Sequence, residues 1–291
     1  MLTPRIAVLL LAVAAFAAGT PVLAQDAPAE RDEILVTGER EAGEVDPGDV
    51  RQQARAITPR GTVVGEPLAR FTDPICPGVW GLSGESAQYI IDRIYYNAEA
   101  AGLELNETAG CGANVIVAFV DDPHGEFADM VAHDHMLVDS LSFDEKKRVS
   151  DTAGPVLAWN VVATRTRDGQ GRDGRPPVFD STEISRLNSG TRRDMLLAMI
   201  MLDTDLLEDL DGLALADYAT MRTLARTVPV EQGEAAYGTI LSLFADPVNA
   251  PQSMTQFDRA YLASLYAGRA NQPGNLALRD MDERMEEAAA E

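Results

Sequence analysis

All 3 histidines of this 291-residue chain fall inside twelve consecutive positions, His124, His133 and His135, in the run His-Gly-Glu-Phe-Ala-Asp-Met-Val-Ala-His-Asp-His. Imidazoles with Glu126 and Asp134 among them are ligands of the type that holds zinc or copper. Spacing decides what they can do. On a strand, His133 and His135 share a face; on a helix they diverge by about 200°. Met130, Val131, Met136, Leu137 and Leu141 recur at helical spacing, so the sequence favours exposed helix histidines over a metal site at His124, His133 and His135. A metal-dependent hydrolase using this segment is the alternative reading.

Other chemical signatures fail on spacing. There is no H-E-x-x-H, no G-x-S-x-G and no Walker loop. Gly169, Gly171 and Gly174 satisfy G-x-G-x-x-G, but Pro176-Pro177 follow, where a dinucleotide-binding loop must open a helix. The acidic stretch Asp203–Asp211 ahead of Gly212 suggests calcium. Aligned on that glycine, however, an EF-hand loop would put Leu207 at its first ligand position and Tyr218 at its twelfth. Cys76 and Cys111 are the only cysteines, have no His within ten residues, and read as one disulfide.

The elements that must position these residues follow from patterning. Residues 1–24 carry Arg5, an apolar run and Val22-Leu23-Ala24, the order of a cleavable secretory leader. Export to the periplasm or beyond is therefore expected. No later stretch has the length of a membrane span. Residues 25–70 are polar and rich in Pro, Gly and Ala, and are predicted to be a disordered tail. A single ordered domain is predicted over 71–270, and 271–291 reads as an acidic tail. The net charge of −22 argues against nucleic-acid binding.

Within the domain, Ser83 caps a predicted helix to about Ala101, stopped by Gly102. Asn114–Val120 is a continuous apolar run and reads as a buried strand. The disulfide would staple this β-α-β unit. Helix is predicted over Glu126–Leu141 and, in a short piece, Asp144–Asp151. Strand is predicted at Val156–Thr164 and, as the preferred of two readings, Asp194–Leu202. Three helices follow: Gly212–Thr227, Glu231–Phe244, and Thr255–Gly268 with a Thr255/Asp258 cap. The fold class is α+β: a small mixed sheet packed with helices and a helical C-terminal part.

Two resemblances add expectations. Asp32–Arg40, with Ile34-Leu35-Val36-Thr37 at its centre, resembles the TonB box of bacterial outer-membrane receptors, without the receptor's barrel. It implies a segment that adds as a strand to a protein partner in the cell envelope. Gly212–Arg222, Ile240–Phe244 and Met254–Tyr266 resemble the C-terminal half of secreted bacterial zincin-like proteins. Those have an active helix, a Ser-x-Phe segment and a Thr-x-x-Asp helix ending in Leu-Tyr. The upstream order of strand, helix, strand, strand fits the same scaffold. A zincin carries two His one turn apart on the active helix; this chain offers Asp217, Tyr218 and Met221 instead. The resemblance thus implies a pseudoenzyme with no cofactor, in which Asp217, Tyr218 and Arg222 line an old cleft.

Overall fold

The computed structural model describes residues 45–59, 66–171, 185, 188–230 and 235–290. The leader and the Ile34–Thr37 segment lie outside them. The first element, α1 (Pro47–Ile57), starts where Asp46 accepts hydrogen bonds from Gly48 N and Asp49 N. Its Val50, Ala54 and Ile57 are buried, as are Leu68 and Ala69 after it. The expected disordered tail over 25–70 is corrected for its described residues, 45–59 and 66–70. An apolar stripe spaced i, i+4, i+7 docks on the core even in a polar, Gly- and Pro-rich stretch.

The short strand β1 (Pro77–Trp80) leads into α2 (Gly84–Ala100), capped by Ser83, and then into β2 (Val115–Val120). Gly81 makes the exit from β1: its φ is +85°, and a Cβ there would sit 2.1 Å from the Phe119 carbonyl oxygen. Gly102, at φ +84°, ends α2 as expected. β1 and β2 pair in parallel, and Cys76–Cys111 is a disulfide across the unit.

Helix α3 (Pro123–Ala132) is shorter than the expected Glu126–Leu141. His133 ends it and Asp134 follows at φ +47°, a left-handed conformation that Asp tolerates better than most residues. Leu137, Val138 and Leu141 are buried, from turns rather than from a helix, and Met136 is exposed. Next come α4 (Phe143–Ser150), with a Ser142/Glu145 capping box, β3 (Val156–Thr166) and β4 (Thr191–Asp203). The sheet order is β1-β2-β4-β3, with β2 and β4 parallel and β3 antiparallel at the edge. A mixed sheet packed with helices is the α+β class.

Alternation on these strands feeds two cores. Val115, Val117, Phe119, Ala198, Ile200 and Leu202 face one side. Ile116, Ala118, Leu157, Trp159, Met199 and Met201 face the other, against Phe127 of α3 and Val149 of α4. Trp159 packs edge-on to Phe127 at 5.0 Å and donates its indole N–H to Leu137 O.

The larger core receives the C-terminal part. One turn, α5 (Leu206–Asp209), precedes α6 (Gly212–Thr223), which Asp211 caps. α7 (Gln256–Ala267) opens with the predicted Thr255/Asp258 box, and its last carbonyls at Leu265 and Gly268 accept from Arg70. α8 (Gly274–Ala277) and α9 (Met281–Ala290) follow. Two expectations are corrected. In Glu231–Phe244 the described residues hold only a 3-10 turn, Ile240–Ser242, because Asp258 takes Thr239 Oγ1 and Ile240 N and keeps the entry extended. In 271–291, Leu278, Met281 and Met285 form a stripe buried against the core, so this segment is not a loose tail. Among the described residues no helix is long and apolar enough to cross a membrane.

Candidate functional site

Helix α6 runs through the interior. Every residue from Ala214 to Thr223 is buried, and Ala214, Ala216 and Ala219 let neighbours approach closely. Such a helix can carry polar groups only where partners meet them.

Asp217 meets four donors. Arg93 reaches it through Nε at 2.6 Å and Nη2 at 2.8 Å, Asn97 Nδ2 at 2.7 Å and the Met254 backbone N–H at 2.7 Å. The carboxylate is fully buried and holds the Arg93 guanidinium above its ordinary pKa, chiefly through these hydrogen bonds. One side chain thereby locks α2, α6 and the entry to α7. Its lone pairs are occupied, so it has none to spare as a base.

Tyr218 turns the other way. It is fully buried, edge-on to Phe244 at 4.6 Å. Arg222, one turn on, stands over the Tyr218 ring with its guanidinium carbon 6.0 Å from the centroid. The expectation that Asp217, Tyr218 and Arg222 line one cleft is corrected: the first two are interior packing. A groove of about 510 Å³ does lie between α2, α7 and α9, walled by Arg93, Asn97 and Met254 among others, with Asp217 behind that wall.

The histidines do not come together. His124, at the start of α3, donates from Nε2 to Gly154 O at 2.9 Å. His133 donates from Nδ1 to Asp129 O, and His135 Nδ1 accepts from Leu137 N. A carbonyl has no hydrogen to give, which places the proton on those atoms of His124 and His133. Among the described residues, no group of three His, Cys, Asp or Glu side chains is arranged to hold a metal ion.

Sequence reasoning missed the partners. Arg93 and Asn97 sit one turn apart beside the Ile90/Ile94/Ala98 stripe of α2, a polar pair on the edge of a buried face. That pair was the available signal. Asp194, read only as the start of an apolar strand, is a second buried carboxylate, 3.2 Å from Arg165 and 3.0 Å from Arg192.

Two buried tyrosines and the half-buried Tyr266 give a pH prediction. Burial pushes Tyr261 up to about 12, and raises Tyr218 and Tyr266 as well. A phenol whose folded pKa exceeds its unfolded value stabilises the fold fully below about pH 10, and that stability is lost as pH rises through the folded value. For Tyr261, two pH units correspond to about 3 kcal/mol. Alkaline titration at 295 nm should show Tyr218, Tyr261 and Tyr266 ionising only together with loss of circular dichroism. A single smooth titration of all seven with the fold intact would contradict this.

No protein-family model matches the sequence, no curated protein matches it, and no solved structure matches the fold.

Proposed function

We propose that this chain is a non-catalytic binding or structural domain of the cell envelope, exported to the periplasm or secreted, on a zincin-like scaffold that has lost its metal positions. The observation that carries this reading is the fate of Asp217. It is the acidic side chain of the helix that the resemblance makes the active one, and it is spent on a four-donor lock between three elements. The order β1, α2, β2, β3, β4 and then α6, with α3 and α4 inserted after β2 and the single turn α5 before α6, supports the scaffold. The Cys76–Cys111 bond supports an oxidising compartment. In this reading, Ile34–Thr37 serves as the strand offered to an envelope partner.

The test uses the full mature chain, purified without chelator or His tag. Metal analysis should find less than stoichiometric zinc and copper. Hydrolysis of a casein substrate should stay at background with or without added zinc. One equivalent of metal, lost in His124→Ala, His133→Ala or His135→Ala together with measurable hydrolysis, would overturn the reading in favour of a metal-dependent hydrolase.

A further inference from the structure

Four arginines gather around the C-terminal end of α6, in a chain of net charge −22. Arg222 is in the last turn of the helix and Arg226 just beyond it. Arg193 comes from β4 and Arg148 from α4. Arg226 lies within electrostatic reach of both Arg148 and Arg193, and Arg222 within reach of Arg148. The described carboxylates that face them are Glu145, 2.9 Å from Arg226, and the exposed Glu66, 3.8 Å from Arg193. Four cations thus share two anions, one of them mostly in water.

Arg222 shows most directly that the cluster is undercompensated. It is only 6% exposed, yet its Nε and Nη1 have no hydrogen-bond partner among the described residues, and neither does Nε of Arg226. Buried donors left unmade are costly, and charged ones more so. The Tyr218 ring meets one face of the Arg222 guanidinium, but a ring face does not satisfy in-plane N–H groups. Arg193 and Arg226 also wall a gap of about 10 Å³, which admits one oxygen-sized atom of a ligand and not a whole tetrahedral ion. Arg148 is exposed, so a ligand in water can reach the cluster on its side.

We infer that Arg148, Arg193, Arg222 and Arg226 form a binding site for a phosphate-type oxyanion. Guanidinium forks match tetrahedral oxyanions, which accept several N–H donors at once. The inference deepens the binding reading of the domain and rests on it only in treating α6 as non-catalytic.

The experiment is calorimetric titration of the full mature chain with inorganic phosphate, at ionic strength held constant with sodium chloride. The variants are Arg148→Gln, Arg222→Lys and, as a control on the exposed surface, Arg279→Gln. Expected are saturable binding of one equivalent, a rise in melting temperature that chloride does not give, and about tenfold weaker binding in both cluster variants. Arg279→Gln should bind as the parent does. Because Arg148 is exposed, its variant keeps the test decisive if Arg222→Lys fails to fold. A parallel titration with glycerol 3-phosphate distinguishes a monoester from the free ion; tighter binding of either supports the site. No saturable heat with either ligand, or equal binding in the parent and Arg148→Gln, would overturn it. That outcome, with hydrolysis still at background, would leave the non-catalytic reading standing.

Discussion

Asp217→Asn is expected to cost about 3–5 kcal/mol of unfolding free energy, the range for removing one partner of a buried ion pair. The substitution keeps shape and changes chemistry. An amide oxygen can still accept, but the amide nitrogen must face one Arg93 N–H and, with it, either Asn97 Nδ2 or the Met254 N–H, donor against donor. The Arg93 guanidinium, with its side chain 23% exposed, would lose its counter-charge while partly reached by water. The lower half of the range is therefore the better expectation. With the nitrogen at the Oδ1 position, Asn97 would keep only Thr220 Oγ1 at 3.2 Å. Urea unfolding followed by circular dichroism measures the loss. A double-mutant cycle with Arg93→Ala isolates the pair, which should couple by well over 1 kcal/mol. A loss below about 1 kcal/mol would mean that the lock behaves like a surface pair, and the structural role assigned to Asp217 would fall.

That role could not be read from the sequence, and the reason is physical. Ser83, Gly102, the Thr255/Asp258 box and the apolar run at Val115–Val120 act locally, so helix α2, helix α7 and strand β2 were legible from their own residues. The Asp217 lock joins residues 124 and 37 positions away in the chain. No window of local pattern contains both ends. Helices α1 and α9 were hidden differently. Their surroundings are polar and acidic, and only three apolar residues in each segment mark a docking face. Average composition suppresses a signal that spacing retains. The histidine cluster fails the other way: closeness in sequence was real, but α3 ends at Ala132, and the rings are tied to backbone in different places, His124 to Gly154, His133 to Asp129 and His135 to Leu137. Arg222 was named from its helix and Arg226 follows it by four positions, whereas Arg148 and Arg193 join them only because α4 and β4 come beside the end of α6.

Replacing both Cys76 and Cys111 by Ser should lower the unfolding free energy by about 4 kcal/mol, the chain-entropy value for a closed loop of this size. The argument turns on which state changes. In the folded protein, the neighbourhood of Cys76 is knit without the sulfur. Its N–H donates to Asn114 Oδ1 at 2.7 Å, and its carbonyl accepts from Asn114 N at 3.0 Å. β1 then pairs with β2 from Pro77↔Val115 onward. The serine variant should keep this register and its native circular dichroism. The unfolded chain, released from a cross-link over 35 positions, gains conformations and exposes more surface. The urea midpoint should therefore fall and the m-value rise, a pairing that a damaged native state would not produce. Small domains hold only about 5–15 kcal/mol in total, so the oxidised form alone would have a comfortable margin. Unfolding the parent with and without reductant makes the same comparison in one chain. If reduction leaves the midpoint unchanged, the loop is already constrained in the unfolded state, and the bond ceases to be an argument for an oxidising compartment.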